Sequence, residues 1–505
     1  MSTSPRILLI NPTITAAKSA RFPLAVLSLS TALQGRASVQ IIDGNIDRDF
    51  VATAVQAFDA GRVDAVGVSV MGGPQLPTAI TVSQAIRARS PRTPIIWGGH
   101  FPTICPEAAL SESYVDYVVR GQGEDTFTQL FDAFDRREDG ALGAIQGLSW
   151  RQEGRVVHNK ARAFSAHSLA TRLPYDRLAN PRRYLTKTYL GQHTAGYQAA
   201  LGCRFRCTFC GVAAMFRGKM ALPTAARLEQ DLQFLTARLG ADAIQFYDHN
   251  FFDREVDMVP LLEVLAKFAL PWWCFARADA LINMSEASWS LVRKSRLRMA
   301  YIGAESPSDW LLHDIRKGTR SDQTLAAVEV CHKHGVIPEL SFMLAPPQDP
   351  EGETERTFEF IRLIKRRYPK TEIMIYIYTP LPPRGDGVTD AGVLRAASGL
   401  RDCAGNPVSF PKTAEDWATP EWISYWCHTD APWVSEQLRQ RIRDFTTVLG
   451  CRFPTATDVR SPQWGKAALQ ALASWRYRFR HYDRPWELRF SKKFIRLWDP
   501  RVSSL

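Results

Sequence analysis

The chain has 505 residues, of which 45% are hydrophobic and 23% charged, a globular balance that excludes wholesale disorder; its length predicts about two to four domains. No apolar run reaches the roughly 18 residues of a membrane-spanning helix, and residues 1–12 lack the apolar core and cleavage site of a secretory signal. Nine cysteines, an odd and unevenly spread number, do not read as a secreted disulfide framework, so the expected compartment is the cytoplasm. The net charge of +12 is concentrated late, with nine Lys or Arg against three Asp or Glu between Arg476 and Arg501. Such a tail is either a solvated face or a site for an anionic partner.

The first 130 or so residues alternate short Val/Ile-rich runs (6–11, 39–43, 65–70, 94–98, 117–120) with helical spacing at 23–34, 52–59, 78–89 and 124–134. Strands buried on both faces and joined by helices predict a doubly wound, Rossmann-like parallel sheet with its ligand edge at the strand C-terminal ends. Those ends carry Asn11, Asp43, Ser69, Gly98-Gly99-His100 and Gly121-Gln122-Gly123-Glu124. Small residues there suit close approach of backbone to a large ligand. Residues 140–164 read as a hairpin connector turning at Gln152-Glu153-Gly154.

A second alternating series begins near Tyr197. Strands are expected at 196–200, 243–248, 273–276, 298–303, 339–344 and 373–379, and helices at 224–238, 258–268, 322–334 and 353–367. About six parallel strands with intervening helices describe a partial (β/α)6 TIM-like barrel. Beyond residue 400 the alternation stops and a mostly helical region rich in Trp and Arg follows, with helices near 435–448 and 462–476. The α/β chain thus divides as 1–140, a connector at 141–185, a barrel at 186–400 and a helical region at 401–505.

The densest chemical signal is Cys203-Arg-Phe-Arg-Cys207-Thr-Phe209-Cys210, three thiols in one loop after the first barrel strand. Three thiolates leave an iron–sulfur cluster one protein ligand short, a vacancy that a substrate can fill. Zinc wants a fourth ligand, and no Cys or His follows until His249, with a distant donor such as Cys274 left open.

This C-x-x-x-C-x-x-C loop, with Phe209 before its last cysteine, resembles the radical S-adenosylmethionine (SAM) superfamily. The resemblance implies that Cys203, Cys207 and Cys210 hold a [4Fe-4S] cluster whose fourth iron chelates SAM, and that reductive cleavage gives a 5′-deoxyadenosyl radical. It also implies an external one-electron donor such as flavodoxin or ferredoxin. By position, Asp248 corresponds to the contact with the methionyl amino group, although the usual Gly-Gly-Glu is absent. Arg277 corresponds to the carboxylate contact, and Glu305 with Ser306 to ribose or amino contacts.

The first domain resembles the cobalamin-binding domain of one subgroup of that superfamily, through Asn11-Pro12, Gly67-Val68-Ser69, Gly98-Gly99-His100-Phe101-Pro102-Thr103 and Gly121-Gln122-Gly123-Glu124. Asn11, Asp43, Ser69, Gly98, Gly99, His100, Gly121 and Glu124 are the implied cobalamin-binding residues. No histidine precedes His100, so the Asp-x-His-x-x-Gly ligand to cobalt found in other cobalamin domains is missing. No Gly-x-Gly-x-x-Gly opens the first helix, which disfavours a nicotinamide domain.

The expected function is cobalamin-dependent radical C-methylation of an unactivated carbon in a small-molecule or lipid-like substrate. The alternative is oxidation, cyclisation or rearrangement, as in the anaerobic protoporphyrin ester cyclase. A tRNA-modifying role is disfavoured because the N-terminal region holds only Cys105, and no nucleic-acid partner is expected. Tyr376 and Tyr378 are weak candidates for lining the substrate cavity. The basic, aromatic stretch from Arg476 to Trp498 is expected as a lid across the barrel mouth, with peripheral contact to an anionic membrane as the alternative.

Overall fold

Val-, Ile- and Leu-rich runs shielded on both faces build the first sheet: β1 (Arg6–Asn11), β2 (Ser38–Asp43), β3 (Ala65–Ser69), β4 (Ile95–Gly98) and β5 (Tyr117–Val119). All pair in parallel, in the order β2-β1-β3-β4-β5, which is a doubly wound sheet. This computed structural model describes residues 5–136, 141–169, 171–384, 389–459 and 461–495. Helices Leu24–Ala32, Phe50–Asp59 and Gln75–Arg89 provide the first three crossovers, the short helices His100–Ile104 and Pro106–Leu110 the fourth, and Glu124–Arg136 follows β5.

The hairpin of β6 (Leu148–Gln152) and β7 (Arg155–His158) turns at Glu153 and Gly154, both with positive φ (50° and 77°). Rather than bridging two domains, it extends the first sheet to seven strands by pairing antiparallel with β5. Long-range contacts fix it there. Arg120 N donates to Gly147 O at 2.8 Å, and Trp150 is buried beside Ile96, Val119 and Phe127.

The second sheet has the order β16-β15-β14-β13-β12-β9-β8. Its strands are β8 (Leu185–Thr186), β9 (Thr194–Tyr197), β12 (Ala243–Phe246), β13 (Trp272–Ala276), β14 (Leu297–Glu305), β15 (Ile337–Leu344) and β16 (Glu372–Ile377). Between β9 and β12 lies a two-stranded ribbon of β10 (Leu201–Gly202) and β11 (Met220–Ala221). Six strands are parallel and β8 caps the edge antiparallel, so the sheet is an open partial barrel. Helices Glu255–Phe268, Glu286–Ser295, Ser321–Lys333 and Pro350–Arg367 return the chain between strands. The face away from them is aromatic, with Phe275 4.7 Å from Trp273 and 4.9 Å from Tyr301 between ring centroids.

Two sequence expectations change here. The first barrel strand ends at Tyr197, not Ala200, because the amides of Ala199 and Ala200 donate to Asp248 Oδ1 (2.6 and 2.8 Å). The late basic stretch, whose positions 496–498 lie outside the described residues, is not a lid over the part that is described. Helix Gln463–Arg478 packs against helix Glu436–Arg452, Arg362 donates to Tyr477 O at 2.7 Å, and Ala456 N donates to Glu372 Oε1 at 2.7 Å. Glu372 begins β16, so this region seats at the barrel's strand N-terminal end. Residues 414–434 take the other end. Tyr425 donates to Pro380 O at 2.6 Å and Trp433 to Ala345 O at 2.9 Å, both at strand C-terminal ends.

Candidate active site at the facing sheet edges

The cysteine loop leaves β10 at Gly202, whose φ of 76° and close approach to Lys219 O demand glycine. Thr208 N donates to Ile315 O at 3.0 Å, which pins the loop to the turn 315–318. None of the three cysteines is in a disulfide; Cys207 is buried, and Cys203 and Cys210 are half-buried. Burial raises all three thiol pKa values, Cys210 to about 11, while Lys317 and Arg277 pull Cys207 back down. Metal loading therefore releases protons here. Among the described residues no three His, Cys, Asp or Glu side chains are close enough to hold one metal ion. Three free thiols in one loop are a donor set that fits an iron–sulfur cluster left one protein ligand short.

Around the loop stand the other barrel residues. Arg277, buried at the end of β13, gives Nε and a terminal nitrogen to Asp279 (3.0 and 3.1 Å) and bonds Lys317 O at 2.8 Å. Its guanidinium lies 3.5 Å over the ring of Phe205. Half of the expected carboxylate fork thus already faces Asp279. Glu305 sits at a bulge between β14 and β15 with φ of 61°, a strained conformation for a non-glycine residue. It pairs with Lys317 Nζ at 2.7 Å, both groups buried. Burial lowers the Lys317 pKa, but Glu305 and Cys207 outweigh it and hold the ammonium above its usual range. Ser306 receives Ser308 N at 2.9 Å and faces Glu353, which makes it a turn former. Phe209 is half-buried and packs on the core.

Asp248 is fully buried, with Oδ2 lacking a partner, and burial lifts its pKa to about 7 against two backbone donors. Tyr376 lies on the barrel's inner face, its hydroxyl 3.3 Å from that of Tyr301. Tyr378 instead packs in the main apolar core. Lys317 acts on Cys207 and Phe205 lies under Arg277, two neighbours of the candidate site that the sequence pattern did not reveal. Lys317 follows Arg316 (φ 53°) and precedes Gly318 (φ 71°), a pattern that signals a turn but not the buried carboxylate waiting there.

The cobalamin-domain candidates divide. Gly99 (φ 101°) must be glycine because a Cβ would lie 2.9 Å from Val70 O, and a Cβ at Gly98 would meet only Val119, at 3.7 Å. Gly99 is thus committed to backbone packing on Val70, and Gly98 lies in ordinary contact with Val119. Gly121 N is held by Thr103 Oγ1 at 2.9 Å, and Ser69 is half-buried at the same edge. Asn11 and Asp43 instead bond each other (2.8 Å), and Asp43 also receives Tyr184 at 2.7 Å. Glu124 accepts from Ser28 at 2.5 Å. Those three side chains hold the edge together.

The two edges meet. A Cβ at Gly211, the residue after Cys210, would sit 1.7 Å from His100 Nε2, and one at Gly121 would lie 3.6 Å from Met215 O. Trp426 closes the crevice, its ring 5.5 Å from that of His100 and so near Gly72 that a Cβ there would overlap the indole. Burial, with His428 and His249 nearby, lowers the His100 pKa to about 4, so the ring is neutral at physiological pH.

The family model described as B12 binding domain matches residues 11–131, and that of the radical SAM superfamily matches residues 197–361. An uncharacterized methyltransferase of Pyrococcus horikoshii is 26% identical over 368 residues, covering 71% of this chain and 76% of that protein. An anaerobic magnesium-protoporphyrin IX monomethyl ester cyclase of Synechocystis is 22% identical over 309 residues, 60% of this chain and 59% of the cyclase. Among solved structures, the cobalamin-dependent SAM radical enzyme OxsB with aqua-cobalamin superposes with a TM-score of 0.64 at 15% identity, over 95% of this chain and 72% of that one. The radical SAM methyltransferase TsrM from Kitasatospora setae, with cobalamin and [4Fe-4S] cluster bound, gives 0.60 at 16% identity, over 94% and 99%. At these identities the likeness is one of fold. The chain thus combines a B12 binding domain with a radical SAM domain, and these two matched domains imply a [4Fe-4S] cluster, SAM and cobalamin as cofactors.

Proposed function

We propose that this enzyme transfers a methyl group to an unactivated carbon of a small-molecule substrate. The supporting observation is the contact between His100 and Gly211, which sets the cobalamin edge of the first sheet against the cysteine loop. When bound, the cluster supplies the electron that cleaves SAM to a hydrogen-abstracting radical, and cobalamin supplies a transferable methyl group. The chain's own contribution is position and dryness. Cys203, Cys207 and Cys210 would hold the cluster, the edge at Gly98, Gly99 and Gly121 would receive cobalamin, and Arg277 and Asp248 would flank SAM. Lys317 keeps a positive charge beside Cys207, and Trp426 with His100 closes the crevice to water. The aromatic inner face, with Tyr301 and Tyr376, is the surface offered to substrate.

The relatives are named as methyltransferases and as a cyclase. A substrate-free assay separates the two readings. Reduced, cobalamin-loaded enzyme given SAM should release S-adenosylhomocysteine, the mark of methyl donation, together with 5′-deoxyadenosine. Release of 5′-deoxyadenosine alone would favour oxidation or cyclisation and overturn the methyl-transfer reading.

A further inference from the structure

Large apolar side chains exposed to solvent are concentrated on the last two helices, Gln463–Arg478 and Trp486–Ile495. Trp464, Trp475, Phe479, Trp486, Phe490 and Phe494 are between 48% and 81% exposed. Their spacing is helical. Trp486, Phe490 and Phe494 recur every fourth residue on one stripe, while Leu488, buried, takes the opposite face. On the preceding helix Trp464 and Trp475 share a face, away from buried Leu469 and Ala473, and Phe479 follows directly after its last residue. The inward residues satisfy the small core formed with Val448 and Cys451. The outward aromatics stand outside that core.

Charge indicates what covers them. Residues 476–495 hold seven Lys or Arg against two Asp or Glu, and Arg478, Arg484, Arg489 and Lys493 are exposed beside the aromatic stripes. Arg489 also reaches Asp444 at 2.6 Å, which fixes the second helix to the bundle without covering its outer face. Aromatic rings flanked by basic groups match the boundary between acyl chains and anionic headgroups, where rings sit at the interface and Lys or Arg meets phosphate. No helix among the described residues is long and apolar enough to cross a membrane.

We propose that this helical hairpin docks the enzyme onto the surface of an anionic lipid bilayer. The hairpin is seated at the strand N-terminal end of the barrel, through Tyr477 on Arg362 and the neighbouring Ala456 on Glu372. The cysteine loop is at the opposite end, so docking tethers the enzyme while its mouth faces the aqueous side. The contact is independent of the methyl-transfer reading.

The test is flotation of the full chain with vesicles of phosphatidylcholine alone or of an equal mixture with phosphatidylglycerol. The protein should float with the mixed vesicles, at least about tenfold less with the neutral ones, and be released at high salt. The triple variant Trp486→Ser, Phe490→Ser, Phe494→Ser should lose flotation while its 5′-deoxyadenosine release is unchanged, which shows that it is folded. Arg478→Gln with Lys493→Gln should weaken binding to the mixed vesicles only. Three results would overturn the proposal: no flotation of the wild type with mixed vesicles, undiminished flotation of the triple variant, or a dimer in sedimentation that the triple variant abolishes, which would assign the face to a second copy.

Discussion

His100, two residues beyond β4, and Gly211, directly after Cys210, are so close that a Cβ at residue 211 would lie 1.7 Å from the His100 ring nitrogen. The ring cannot swing aside, because Trp426 stands against it at 5.5 Å. Gly211→Ala should therefore destabilise by about 1–3 kcal/mol, the usual range for overpacking. His100→Ala in the same chain should restore most of that loss. Chemical denaturation of the four proteins measures the coupling, and purely additive effects would mean that the two edges do not touch.

The Glu305–Lys317 pair is buried on both sides. Lys317→Met leaves an unpaired buried carboxylate and should cost about 3–5 kcal/mol, whereas the double change with Glu305→Gln should recover much of it. Lys317→Met also removes a charge that lowers the Cys207 pKa, so iron incorporation should slow at neutral pH. Equal melting temperatures for the single and double variants would contradict this assignment.

Asp248 has a folded pKa near 7, against an ordinary value of 3.8. Between those values the folded chain holds a proton that the unfolded chain has lost, so this group makes stability fall as pH rises through the window. Asp248→Asn keeps an oxygen for the amides of Ala199 and Ala200 and removes the charge. Its melting temperature should exceed that of the wild type at about pH 8, with the gap narrowing as pH falls and closing only below the ordinary value of 3.8. A constant difference across that range would show that titration is not the cause.

Local pattern made much of the fold and site legible. Val/Ile runs with small residues at their ends marked both parallel sheets, and the three closely spaced cysteines pointed to an iron–sulfur site, while the radical chemistry came from the resemblance to a family. What escaped was decided by partners far along the chain. Asn11 and Asp43 looked ready for a ligand but satisfy each other and Tyr184. Lys317 carries no local sign that Glu305 is buried beside it. The hairpin of β6 and β7 was readable as a hairpin, but its docking on β5 depends on Arg120 and Gly147. The abundance of tryptophan after residue 400 hid two uses, since Trp426 closes the crevice whereas Trp486 faces outward.

Three thiols that carry a cluster opposite a corrin are the central claim, and metal content measured with product release tests it most directly. Anaerobically reconstituted enzyme should contain about four iron atoms and one cobalt per chain and should release 5′-deoxyadenosine when reduced with SAM. The variant with Cys203→Ala, Cys207→Ala and Cys210→Ala should lose the iron and the deoxyadenosine but keep the cobalt. Zinc in place of iron and cobalt, or deoxyadenosine from the triple variant, would contradict it.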